Sequence, residues 1–240
     1  MVSRREVIAA LASTAVLPLL PACMSEREST TSSNDEAKAL GLINECAEHL
    51  LAMFPESATS LGIDTDTRAG LRSQLTDRSE AGKKRIADQV RSDLERVNAF
   101  DTAGLSYKTR TSFEVVKSAY ATALEGFALP YGDITVGSWR NTPYVVIQNV
   151  GAYLDIPRFL DSDHRIENAV DAEAYLARLQ LYARQLDGEL GRIQSSRSMG
   201  LVPPGFLLDK AIGQLTLSIQ NARAGGSVVE SIARRTKNIP

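Results

Sequence analysis

The sequence predicts an all-α fold: an irregular helical bundle with a Gly/Pro-rich loop region in the middle that leaves room for a short strand pair. Three observations carry this. Apolar residues recur at three- and four-residue spacing through most of the 240 residues, the signature of one helix face. Ser/Asp-led starts and Pro or Gly stops bracket those runs. Short β-branched runs between glycines and prolines are confined to one central stretch. Hydrophobic and charged contents of 43% and 23% are ordinary for a soluble globular chain, and the length allows one large domain or two small ones.

The first segment, "MVSRREVIAALASTAVLPLLPAC", stands outside the fold. A cationic start, Arg4-Arg5, precedes an apolar run from Val7 to Leu20 that is too short and too proline-interrupted to span a membrane. It reads as an export signal. "SRREVI" resembles a twin-arginine signal, with the general secretory route as the alternative. "LPAC" resembles a lipoprotein cleavage box, which would make Cys23 the lipidated first residue of the mature protein and the membrane its partner through that anchor. Ordinary cleavage near Ala22 is the competing reading. Residues 24–34, "MSERESTTSSN", are polar and aperiodic and read as a tether. The expected organisation is a signal over 1–23, a tether over 24–34 and a helical domain over 35–240, located in the periplasm or cell envelope.

In the helical domain, Ser33-Asn34-Asp35-Glu36 has the form of a capping box. Behind it Leu40, Ile43, Ala47, Leu50 and Phe54 make one stripe, stopped by Pro55. Cys46 beside that stripe reads as a buried, inert thiol. Asp77-Arg78-Ser79-Glu80 opens a second helix with Ile86, Val90, Leu94, Val97 and Phe100 inward. Ser106 caps a third, carrying Phe113, Val116, Tyr120, Leu124 and Phe127. The segment "PYGDITVGSWRNTPYVVIQNVGAYLDIP" is the irregular middle. Asp171 is expected to cap a long helix whose Leu176, Leu179, Ala183, Leu186, Leu190 and Ile193 form a heptad-like seam toward the core. Pro203-Pro204 starts another helix with Leu208, Ile212, Leu215 and Ile219 as its stripe. Gly225-Gly226 breaks it, and a short last helix follows. The elements form an all-α bundle packed stripe to stripe.

Groups for chemistry are sparse. The net charge is −2 and the basic residues are scattered among acids, which disfavours a nucleic-acid partner. His49 and His164 are the two histidines, and neither opens a His-Glu-x-x-His helix. No Gly-rich phosphate loop, Gly-x-Ser-x-Gly elbow or zinc-type cysteine pair occurs. No catalytic or metal-ligating set can be assigned, and no cofactor is expected in this chain. His49 lies at the edge of the first stripe, where a hydrogen-bonded boundary residue competes with a ligand. In "DSDHRIENAVDAE", His164 and Glu167 are three residues apart and a helix would pair them for acid–base work or a weak metal contact. The competing reading, helix punctuation, accounts for nearly all the acids without a ligand and is the favoured one.

Three segments carry a family resemblance: "PESATSLGI" (55–63), "PYVVIQNVGAYLDIPRFLDSDHRIENAVDAEAYLARL" (143–179) and "MGLVPPGFLLDKAIGQL" (199–215). Together they resemble the N-terminal half of the bacterial domain-of-unknown-function-885 family. The resemblance implies an exported or lipid-anchored protein of the helical, zinc-peptidase-like kind. In longer relatives it places zinc on a later His-Glu…Pro-Gly-His-His motif that these 240 residues do not contain, so no catalytic residue carries over. It also implies a peptide-like substrate for a full-length form. This half would supply a wall of the cleft, with Trp139, Arg140, Asn141 and Tyr144 as loop candidates for contact; a structural loop with Trp139 as a plug is the alternative. Three functional readings follow: a non-catalytic part of a metallopeptidase-like protein, a non-enzymatic binding or scaffolding lipoprotein, and a hydrolase built on His164. The first predicts exposed apolar surface and self-association.

Overall fold

Helix α1 (Ser29–Met53) ends just before Pro55, which opens the short α2 (Pro55–Ser60). Proline cannot donate to the preceding turn, yet it suits the first position of a helix, where the N–H has no partner anyway. The chain continues through a 3-10 segment (Asp66–Ser73), α3 (Glu80–Ala99), α4 (Tyr107–Phe127), α5 (Ala152–Ser162), α6 (Ala169–Ser198), α7 (Gly205–Arg223) and α8 (Val228–Arg235). The computed structural model describes residues 29–137, 141–226 and 228–239. The expected all-α fold is what the chain adopts. No strand occurs among the described residues, and the strand pair expected in the middle is reduced to two isolated antiparallel bridges, Asp133–Thr142 and Ile147–Val150.

Two apolar cores organise the molecule. The first joins α1, α3 and α4 through Leu42, Cys46, Ile86, Val90, Val97, Phe113 and Tyr120. The α3 and α4 stripes lie where the periodicity puts them. That of α1 is turned by about one residue. Ala39, Leu42 and Cys46 are buried, whereas Ala47 is exposed and Leu40 is 46% exposed. The second core joins α5, α6 and α8 through Ile156, Phe159, Leu160 and Tyr175, with Ile232 packed against it.

Several helix starts differ from the sequence expectation. The first helix already runs from Ser29, inside the segment read as a tether, so Ser33 lies within the helix and not at its start. Glu36 instead crosses to α4, accepting from the Ser106 N–H (3.0 Å), the Ser106 hydroxyl (2.7 Å) and Thr109 Oγ1. Ser106 caps α4 as expected, accepting from the Thr109 N–H at 3.2 Å. The α3 cap is Ser79, not Asp77. Asp77 accepts from the Ser79 N–H (2.9 Å), and Ser79 accepts from the Gly82 N–H (3.1 Å). Asn168, not Asp171, caps α6, because its carboxamide oxygen accepts from the Asp171 N–H (3.0 Å) while Asp171 accepts from the Glu167 N–H (2.9 Å).

The largest departure is α6. Most of the heptad-like seam does not face the core: Leu176 is 49% and Leu190 51% exposed, with Leu186 and Ile193 also outward, while Leu179 packs half-buried against the second core. The buried face is polar instead. Asp171, Arg178, Gln185 and Arg192 recur every seven residues on it, beside Tyr175 and Glu189. Hydropathy points one way and burial the other because the partners of this face are carbonyls, carboxylates and arginines. α7 is more open still. Ala211 is its buried residue, and Phe206, Ile212, Leu217 and Ile219 are each at least half exposed. No described helix is long and apolar enough to cross a membrane.

Candidate functional site: a charged cavity between two cores

The two cores do not fuse. Between them opens a cavity of about 530 Å³, with Phe54 and Ile86 of the first core on one side and Ile156 and Phe159 of the second on the other. The polar residues on its walls are held by the buried face of α6. Glu189, 2% exposed, accepts from the Ala152 N–H at the start of α5 (2.9 and 3.0 Å) and pairs with Arg78 (2.8 Å). Burial raises the Glu189 carboxyl, with Arg78 pulling against it. Arg78 also reaches Asp155 at 3.4 Å. Arg192 pairs with Asp133 (2.8 Å) and donates to the Gly132 carbonyl (2.6 Å), which fixes the irregular loop to α6. Gly188 lets the start of α3 lie close against α6: a Cβ there would lie 2.8 Å from the Ser79 nitrogen.

Four charged residues on the cavity wall have no ion-pair partner among the described residues. Lys83, 9% exposed, donates from Nζ to the Leu129 carbonyl (3.2 Å), and burial lowers its pKa. Glu56 accepts from the N–H and hydroxyl of Thr76 (3.0 and 2.7 Å) and from Gln185 (3.3 Å), all neutral groups. Asp163 accepts from the hydroxyls of Ser60 (2.5 Å) and Ser162 (2.7 Å). Arg158 sits exposed at the rim. Lys83 belongs to α3, whereas Glu56 lies on α2, and Arg158 and Asp163 lie on and just after α5.

His164, the histidine of the acidic stretch, is 1% exposed and lies elsewhere. Its Nε2–H donates to the Asp171 carbonyl (3.0 Å), so Nδ1 is the acceptor, and Arg178 Nη1 donates to it at 2.7 Å. Arg178 is wholly buried. It donates to the carbonyls of Gln74 (3.0 Å) and Leu71 (3.1 Å) and to Thr59 Oγ1 (2.7 Å), and its guanidinium lies 4.8 Å from the Phe159 ring centre. Thr59 passes the contact on to Asp64 (2.8 Å), which Arg72 links at 3.3 Å; Arg72 in turn pairs with Asp171 at 2.5 Å. Burial, then the Arg178 charge, lowers the His164 pKa against the bond to the Asp171 carbonyl. The pair expected from spacing is not made: Glu167 is exposed and its backbone N–H alone is engaged. This network ties α2, the 3-10 segment and α6 together.

The other sequence candidates are dispersed. Asn141 accepts from the Thr135 N–H (3.0 Å) and lines a shallow groove along α4, not the cavity. Tyr144 is half-buried, its N–H bonded to Thr142 Oγ1 (3.1 Å). Trp139, Arg140, Arg4, Arg5 and Cys23 lie outside the described residues. His49 is 38% exposed, with Nδ1 2.9 Å from the buried Asp93 carboxylate. Cys46 is buried, and desolvation raises its thiol pKa to about 11, which makes it inert.

Zinc does not fit these side chains. Both histidines are committed to protein partners, and among the described residues no three His, Cys, Asp or Glu groups converge to hold an ion. The cavity charges had one sequence signal: Lys83 stands three residues before Ile86 on the inward stripe of α3, where an ammonium is out of place. Glu56 and Asp163 carried no such mark.

The fold is similar to the crystal structure of a protein from Colwellia psychrerythraea described as a "putative lipoprotein", with a TM-score of 0.74 and 17% identity over 85% of this chain. The chain spans 35% of that protein's length, and at this identity the likeness is one of fold. No curated protein matches the sequence. The family described as "Bacterial protein of unknown function (DUF885)" matches residues 55–239. That match takes in the second core, the α3 and α4 part of the first, and the cavity walls apart from Phe54, and the chain belongs to the DUF885 family.

Proposed function

We infer that this chain is an exported, lipid-anchored helical module that forms one wall of a peptidase-like substrate cleft. In this reading the reaction centre comes from polypeptide packed against the outward apolar faces of α6 and α7. The observation that carries the reading is the inversion of α6: its polar face is spent on holding the cavity, while Leu176, Leu186, Leu190 and Ile193 face outward. An uncovered stripe of this kind marks an interaction surface. A 19-residue helix such as α7, with one buried residue, needs a partner to persist in water. The Arg4-Arg5 and Cys23 signals and the similarity to the Colwellia protein support the envelope location.

The purified mature chain, loaded with zinc and offered a peptide mixture, is expected to show no turnover. Stoichiometric zinc with peptide hydrolysis would overturn the reading. Cys23→Ser is expected to move the chain from the membrane fraction to the soluble periplasm, and Arg4→Lys with Arg5→Lys to block its export. A chain that stays monomeric and binds no dye specific for apolar surface would favour the self-sufficient binding or scaffolding lipoprotein.

A further inference from the structure

The cavity holds an unusual balance of charge. Arg78, Arg192, Asp133 and Asp155 are paired across the α6 network. What remains without a direct ion pair is one cation on the α3 wall, Lys83, and two carboxylates on the α2 and α5 walls, Glu56, which lies in the field of Arg178, and Asp163, with Arg158 at the rim. A buried ammonium with a single carbonyl partner is costly to keep ionised, and an incoming anion relieves that cost. The two carboxylates do the same for an incoming cation. A purely anionic ligand would meet Glu56 and Asp163, and a purely cationic one would meet Lys83. Both charges are met by one molecule that carries an ammonium at one end and a carboxylate at the other. The volume of about 530 Å³ lies within the range of small-ligand sites. Phe54, Ile86, Ile156 and Phe159 offer apolar surface to whatever lies between the two ends.

We propose that this cavity binds a short peptide with both termini free, its carboxylate on Lys83 and its ammonium on Asp163 and Glu56. The proposal rests on the peptidase-like reading for its class of ligand and not for its place, since the cavity lies on the buried side of α6. The lowered Lys83 pKa agrees with an ammonium short of partners and predicts proton uptake on binding at alkaline pH. Arg158 is left to attract the ligand from solvent.

The test is calorimetric titration of the mature chain with trialanine, N-acetyl-trialanine and trialanine amide. Trialanine is expected to bind, and blocking either end to weaken binding at least tenfold. Lys83→Met is expected to weaken trialanine to the level of the amide and to leave the amide itself unchanged. Asp163→Asn is expected to do the same for the acetylated peptide. Thermal melts check that each variant folds; if one does not, the blocked peptides on the unmodified chain decide the matter alone. Equal affinity for all three peptides, or no binding of trialanine, overturns the proposal. Binding followed by hydrolysis would uphold the site and sink the cleft-wall reading. Absence of both would sink the site and leave that reading standing.

Discussion

His164 and Arg178 show how far a residue's surroundings can depart from its neighbours in sequence. The acidic stretch around His164 invites an acid–base reading, and the spacing to Glu167 supports it. In the fold the partner is Arg178, on α6, and it faces His164 as a cation. The groups around the imidazole are Arg178, Asp171, Arg235 and Tyr175; Arg235 donates to the His164 carbonyl from α8. Burial also lowers Arg178 to about 10, which marks how tightly the guanidinium is enclosed. Because the folded pKa of His164 lies below its unfolded value of about 6.5, the folded state binds fewer protons than the unfolded one. The stability it contributes is present above that value and is lost as pH falls toward the folded pKa. Melting temperatures are therefore expected to drop from pH 7.5 to pH 5.5, and His164→Asn to flatten that slope; an unchanged slope would show that other groups set it. Nothing in the sequence points to Arg178, because an arginine among leucines on a helix reads as a solvent-facing residue.

Among the elements, α3 and α4 were legible because their stripes and burial coincide. α2, the 3-10 segment and α5 were not. They are short, and what holds them is distant: α5 begins on a backbone N–H that Glu189 accepts from, and it accommodates Pro157 within its length. The Tyr153 carbonyl, left without its i+4 donor by Pro157, has the Tyr182 hydroxyl at 3.5 Å. Ser106→Ala is expected to lower stability by about 1 kcal/mol through loss of the α4 cap, measured by urea titration. Gly188→Ala gives a sharper test. At an exposed helix site the change would stabilise by about 1 kcal/mol. Here the new methyl meets the Ser79 backbone, and a loss of about 1–3 kcal/mol is expected, with weaker trialanine binding as Arg78 shifts.

Across the whole molecule, two apolar cores meet through a polar seam, and the cavity is that seam. The helical class, the first core and the family resemblance were readable from periodicity and motifs. The seam was not, because it is built from residues as far apart as Glu56 and Gln185, or Arg78 and Glu189. The same architecture leaves the α6 and α7 stripes outward. Leu190→Glu and Ile212→Glu are expected to change melting stability by less than about 0.5 kcal/mol. Both are also expected to reduce concentration-dependent association in sedimentation velocity. Phe113→Ala, in the first core, is expected to cost about 3–5 kcal/mol. A large stability loss from either stripe variant would place those leucines inside the fold.

The reversal along α6 also dictates which codons there should be free to drift. A saturation library over residues 169–198, sorted for folded chains, should accept serine or glutamate at 176, 186 and 190 while discarding almost every replacement at 178, 185, 189 and 192. Arg178, Gln185, Glu189 and Arg192 would then score as indispensable and the outward leucines 176, 186 and 190 as dispensable, the opposite of what a hydropathy wheel would rank.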